Sequence, residues 1–179
     1  MPKNSVKQIE KDEKKILDEL TKNCNMSVNE IANKLGFSRQ KVWRIIKNFE
    51  KDKTIWGYTA IIDDNKMGRK RFYILLKKAP IKVTDEKLNV VINRELRKIA
   101  TKNGVNLEST YFFNGSYDGQ ICVTAEDIIH VKNFIAEMEK KIGTAYFKEA
   151  DILEVLVPIQ MRGFNNPKLK QLKKYFSLD

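Results

Sequence analysis

Between Ser27 and Asp52 the chain reads Ser-Val-Asn-Glu-Ile-Ala-Asn-Lys-Leu-Gly-Phe-Ser-Arg-Gln-Lys-Val-Trp-Arg-Ile-Ile-Lys-Asn-Phe-Glu-Lys-Asp, two helix signals around one tight turn. Ser27 with Glu30 three residues on is a capping box, in which each residue satisfies a backbone N–H of the other. Ile31, Ala32 and Leu35 give the short helix one apolar face, and Gly36 supplies the left-handed residue that stops it. Ser38 caps a longer helix whose Val42, Ile45, Ile46 and Phe49 fall at i, i+3, i+4 and i+7. The other face carries Arg39, Gln40, Trp43, Arg44 and Lys47. A short helix, a turn and a long helix with a basic outer face is how a helix-turn-helix offers side chains to a DNA major groove. A helical hairpin with a merely solvated basic face has the same spacing, so spacing alone leaves both readings open.

Charge distribution separates them. The 179-residue chain carries a net charge of +11, with 42% hydrophobic and 32% charged residues, a folded protein and not a disordered one. The excess is +6 in residues 1–70, +1 in 71–160 and +4 in 161–179. A genome-wide lysine bias or heat adaptation would spread it evenly. Concentration around the helix-turn-helix and in the tail points to a polyanionic partner, double-stranded DNA. No apolar run approaches the length of a membrane span, and Met1 to Glu10 lacks the apolar core of a signal peptide. Cys24 and Cys122 are the only cysteines and have no metal-like spacing. The expectation is a cytoplasmic protein with free thiols, no membrane association and no cofactor.

Upstream, Asp12 to Asn23 reads as a helix with Ile16, Leu17 and Leu20 inward, completing a three-helix bundle. Thr54 to Asp63 is rich in β-branched and aromatic residues and reads as a strand bent at Gly57. The polar stretch 63–70 is the best boundary, giving residues 1–62, a linker 63–70, a second domain 71–160 and a basic tail 161–179. In the second domain, strands are expected at Phe72–Leu76, Leu107–Phe113, Gln120–Thr124 and Tyr146–Val157. A helix is expected over Thr84–Asn103, with Leu88, Val91, Ile92, Leu96 and Ile99 on one face. Another follows Asp127, with Ile128, Val131, Phe134, Ile135, Met138 and Ile142 inward. The order β-α-β-β-α-β is the ferredoxin-like unit, so the fold class is α+β. Its helices cover one sheet face, and aromatics on the Tyr111/Phe113 or the Phe112 side leave the other to be covered by a second copy. In the tail, Asn166-Pro167 is expected to start a helix striped by Leu169, Leu172 and Phe176.

The site expectations follow from donor geometry. Arg39, Gln40 and Arg44 suit base edges, Arg pairing with guanine and Gln with adenine. Lys41, Lys47 and Lys51 suit phosphates, with Ser38 at the helix start. Trp43 either stacks on a sugar or thymine methyl or packs on another helix of a dimer. His130, alone on a mixed helix face, reads as a surface residue and not as a catalytic base. No nucleophile-base arrangement, phosphate loop or zinc spacing occurs, so an enzyme is not expected.

The segments Asp12–Leu20 (DEKKILDEL), Ser27–Glu50, Ile55–Ala60 (IWGYTA) and Gly115–Asp118 (GSYD) resemble those of the Lrp/AsnC (leucine-responsive/asparagine-type) transcription regulators, over residues 10–158. The resemblance implies an N-terminal winged helix-turn-helix, a C-terminal ferredoxin-like RAM domain that senses small molecules, and dimers or multiples of dimers. It makes Gly115, Ser116, Tyr117 and Asp118 an effector corner, with Asp118 holding the α-ammonium of an amino acid; the alternative is a turn in which Asp118 satisfies N–H groups. The same fold also resembles sirohaem decarboxylase subunits, the alternative function, but those line their second domain with cations and histidines. Two departures stand out. Lys53-Thr54 replaces the family's glycine after the recognition helix, and a left-handed lysine costs ~1–2 kcal/mol, so a different helix end is expected. The last strand, from Tyr146, lacks the family's threonines, which argues against an ordinary amino-acid effector.

Overall fold

The computed structural model describes residues 6–143 and 146–176. The chain forms two compact units, Met1–Ile61 and Ile62–Asp179.

The first unit is three helices, α1 (Val6–Lys22), α2 (Val28–Leu35) and α3 (Arg39–Lys51). Helix α1 starts earlier than its apolar pattern requires, within the charged run before Asp12. The expected stripes do converge: Ile16, Ile31, Ala32, Val42, Ile45 and Phe49 are buried, with Leu17, Leu20, Leu35 and Ile46 packed against them. Both arms of the capping box form, Glu30 N–H to Ser27 Oγ at 3.2 Å and Ser27 N–H to Glu30 Oε2 at 2.6 Å. Gly36 is left-handed at φ 66°, and Phe37 N–H closes the turn on the Ala32 carbonyl at 2.9 Å.

The end of α3 overturns one expectation. Lys53 is left-handed after all, at φ 66°. Two contacts hold it there: Asp52 Oδ1 accepts the Thr54 N–H at 2.9 Å, and the Ile55 N–H reaches the Phe49 carbonyl at 3.0 Å. Ile55 packs on the three-helix core, so burial of the next apolar residue dictates the turn. Lys53→Gly should therefore stabilise this unit by about 0.5–1 kcal/mol, the relieved strain less the extra freedom of glycine in the unfolded chain. Urea denaturation followed by circular dichroism measures it; a loss of stability would mean that the lysine contributes a contact of its own.

The strand expected at 54–63 is a second correction. The segment has no ladder, because a strand needs the N–H and C=O groups of a neighbour and no described residue of this chain supplies them. Trp56 stands 95% exposed, and Tyr58 and Ile62 are also exposed.

In the second unit β1 (Lys70–Lys78), β2 (Asn106–Phe112), β3 (Gly119–Ala125) and β4 (Phe147–Glu154) form an antiparallel sheet in the order β2-β3-β1-β4. This is the ferredoxin-like order. On the covered face Phe72, Ile74, Ile121 and Val123 meet Val131, Phe134, Ile135 and Met138 of α6 (Ile128–Ile142). Asp127 caps α6, accepting the N–H groups of Ile129 and His130 at 2.8 and 3.1 Å. Ile128, expected inward, is 38% exposed in the first turn.

The helix expected over 84–103 is two helices, α4 (Asp85–Ile92) and α5 (Glu95–Lys102), parted at Asn93 and a left-handed Arg94 with φ 57°. At 100° per residue Val90 and Leu96 would point about 120° apart on one straight helix. The break buries both, together with Ala100, and leaves Ile92 out at 69% exposure. Neither glycine nor proline marks the spot, so no local signal announces it.

Beyond β4 a two-residue hairpin, β5 (Gln160–Met161) with β6 (Phe164–Asn165), precedes a short 3-10 turn (Leu169–Gln171) and α7 (Leu172–Tyr175). The hairpin has no counterpart in the sequence pattern, and the expected tail helix is confined to this end of it. Phe176 is exposed and does not complete a buried stripe. The tail is tied back by Lys168, whose Nζ lies 2.5 Å from Asp63 Oδ2. The last three residues of the tail lie outside the described residues, as do the first five of the chain.

Candidate nucleic acid interface

Ser38 is extended at the start of α3 and its Oγ accepts the Lys41 N–H at 3.3 Å, so the helix begins squarely at Arg39. Val42, Ile45 and Phe49 anchor one face in the core; Arg39, Gln40, Trp43, Arg44, Lys47 and Lys51 are exposed on the other. Arg39 and Gln40 occupy the first turn, the part of a recognition helix that meets base edges. Trp43 is 55% exposed, with its ring on this same face. Asn48, four residues after Arg44, is exposed there too and adds a side-chain amide that the donor set read from the sequence does not include. Lys47 Nζ lies 2.7 Å from Glu50 Oε2, and Glu50 Oε1 also accepts the Tyr58 hydroxyl at 3.2 Å. A phosphate would have to draw Lys47 from that exposed pair, a small cost.

Lys41 departs from the expected phosphate contact. Its Nζ lies 2.5 Å from Oδ2 of Asp12, a buried carboxylate on α1 that Gln8 also bonds at 2.8 Å, and it sits 4.1 Å from the centre of the Phe37 ring. The ammonium is committed to joining α3 to α1. Glu19, also buried on α1, is paired with Lys34 of α2 and with Lys22. These two carboxylates clamp α3 and α2 onto α1. The Lys41 hydrogen bond holds the Asp12 carboxyl below the usual carboxylate range, against the opposing effect of burial, and the Lys34 bond does the same for Glu19.

A depressed folded-state value gives stability that is fully present above the unfolded value of about 4 and is lost as pH falls through the folded one. Urea midpoints of the first unit should thus fall steeply on acidification below about pH 4, and Asp12→Asn should flatten that fall. An unchanged slope in the variant would show that Asp12 contributes nothing.

The corner at Gly115–Asp118 is the connection between β2 and β3. Tyr117 donates its hydroxyl to Asp151 Oδ2 at 2.9 Å, and Lys77 Nζ lies 4.8 Å from the centre of its ring. Asp118 Oδ2 accepts the Lys78 N–H at 2.7 Å, while the Asp118 N–H reaches the Leu76 carbonyl at 2.8 Å. The carboxylate therefore satisfies a backbone N–H, as the turn reading supposed, but one on β1 across the sheet and not in its own loop. Gly115 has open space around it and Ser116 is exposed. His130 Nδ1 is 2.8 Å from Asp127 Oδ1, and its ring lies 2.9 Å from where a Cβ on Gly104 would sit. It is part of a helix cap and a close backbone approach. Among the described residues no cluster of His, Cys, Asp or Glu could hold a metal ion, and no helix is long and apolar enough to cross a membrane.

Residues 13–55, which span the end of α1, all of α2 and α3 and the turn to Ile55, match the winged helix-turn-helix DNA-binding family. A proline dehydrogenase transcriptional activator of Rhodobacter capsulatus is 26% identical over 129 residues, 72% of this chain and 79% of that protein. An AsnC family transcriptional regulator from Agrobacterium tumefaciens superposes with TM-score 0.60 at 22% identity, covering 83% of this chain and 91% of that one. The transcriptional regulator NMB0573 of Neisseria meningitidis, solved with L-methionine, does so with TM-score 0.61 at 18% identity over 89% and 96% of the two chains. The chain thus carries a helix-turn-helix DNA-binding domain and has the two-part fold of the Lrp/AsnC transcription regulators.

Proposed function

We propose that the chain is a sequence-specific, DNA-binding transcription regulator in which residues 1–62 read DNA and residues 71–160 serve assembly and sensing. One observation carries the reading: a capped helix, held by its apolar face and by the Lys41–Asp12 pair, presents Arg39, Gln40 and Arg44 to solvent on a single face. In this reading those three contact bases, and Lys47 and Lys51 contact phosphates. Lys41 holds the helix instead. Competitive binding of the purified protein to its own promoter and to random duplex at moderate salt tests it. A preference for the promoter is expected; equal affinity for both would overturn sequence-specific regulation.

The working unit in this reading is a dimer or a multiple of dimers in the cytoplasm. On the sheet face away from the helices Tyr73 lies between Cys122 and Leu153, and Tyr111 stacks on Phe113 with ring centres 6.4 Å apart. Leu153 and Tyr111 are half exposed, an apolar face that a second copy would cover. A small-molecule effector belongs to the same proposal. The L-methionine complex of the Neisseria protein favours an amino acid as effector, while the engagement of Asp118 with Lys78 favours a regulator that needs none at Gly115–Asp118. The decarboxylase alternative gains no support: His130 is paired with Asp127, and a cavity of the second unit is lined mainly by apolar side chains.

A further inference from the structure

A cavity of about 310 Å³ lies inside the second unit, between α4, the C-terminal end of α6 and the ends of β1, β2 and β3 next to the 113–118 loop. Leu88 and Val91 of α4 face it from one side, Phe112 and Tyr146 from others. Val90 pins α4 to the core, while Leu88 stays 39% exposed and Val91 half-buried beside a space they do not fill. The volume stands at the lower end of the roughly 300–1,000 Å³ of ligand pockets, and about 150 Å³ suffices for benzene.

Its charged groups decide what fits. Lys87 is half-buried with Nζ 4.6 Å from the centre of the Tyr146 ring, and no described carboxylate pairs with it. Lys78, also half-buried, has no ion-pair partner among the described residues either. An ammonium partly withdrawn from water, with a π face for company, is a standing place for an anion. The one acid on the lining is Asp118, and its carboxylate already accepts the Lys78 N–H. Two ammonium groups against one carboxylate leave an apolar body with a net positive lining, which suits an anion better than the α-ammonium of a zwitterion.

We infer that this cavity binds a small organic monocarboxylate with a branched or aromatic body, its carboxylate held by Lys87 and Lys78. The inference deepens the sensing role proposed above by naming the ligand class, and rests on that role only for the consequence on DNA; binding itself is read on the free protein.

Isothermal titration of the full chain with 4-methylpentanoate and 3-phenylpropanoate, each against the corresponding α-amino acid (leucine, phenylalanine) and amide, tests it. Saturable binding of at least one carboxylate is expected, with its α-amino acid and its amide weaker by roughly tenfold or more, the worth of one charge-assisted bond. Lys87→Gln should weaken the carboxylate by a similar factor. Leu88→Trp, a partly exposed position from which an indole can fill the space, should abolish binding while the circular dichroism spectrum and melting temperature stay near those of the parent. No saturable heat with either carboxylate overturns the inference. So does equal or tighter binding of the amino acid or the amide, or binding indifferent to Lys87→Gln. Promoter preference is scored separately, so failure here leaves the DNA-reading proposal to its own test.

Discussion

Arg44→Ala is expected to weaken binding to the specific site by about 1–3 kcal/mol, roughly five- to 150-fold, and to relax preference at one base pair. The guanidinium projects from the exposed face of α3, beside Val42 and Ile45 on the buried one, so its loss removes donors without disturbing the core. Lys47→Ala is the control. It removes a charge already shared with Glu50, so it should weaken specific and random duplex alike and lower the salt slope by at most about one. Fluorescence anisotropy with site and scrambled duplexes over a range of salt separates the two. If Arg44→Ala lowers both affinities equally, Arg44 is a phosphate contact and base reading falls to Arg39 and Gln40.

Phe134→Ala should destabilise the second unit by about 3–5 kcal/mol, the cost of truncating a fully buried aromatic in a core that cannot collapse around the gap. Phe134 sits on α6 against a sheet face where Phe72, Ile74 and Val123 are also fully buried. The measurement is amide exchange in β1 and β3, because two separate cores need not unfold in one transition and a single melting curve would blend them. Protection of α2 and α3 at native conditions should change little, since their core is made by Ile16, Ile31, Val42 and their neighbours alone. A loss below about 1 kcal/mol would mean that α6 shifts to fill the space.

Where a local rule was sufficient, the residues themselves wrote the structure. Ser27 with Glu30, Gly36, Ser38 and Asp127 are caps and turns whose partners lie within four residues, and each behaves as its chemistry requires. The stripes at Val42/Ile45/Phe49 and Val131/Phe134/Met138 are buried for the same reason: a 3.6-residue period puts them on one side of a helix whatever it packs against. The exposed set Arg39, Gln40, Arg44, Lys47 and Lys51 was legible as the complement of that stripe. Where the partner is distant in sequence, no local pattern could decide. Lys41 looked like its neighbours on α3 until α1 brought a buried Asp12 to it across 29 positions. Asp118 left two readings open, an ammonium ligand or a partner for N–H groups of its own turn, until β1 brought up the Lys78 N–H. Lys53 was turned left-handed by the burial of Ile55, and the helix over 84–103 was broken so that Val90 and Leu96 could enter one core. The sequence by itself determined the caps, the periods and so the element order, because those are short-range free energies that each segment carries with it. Only the tertiary structure decided which charges are spent, where helices break and where a cavity remains, because those follow from burying groups that many residues of chain separate.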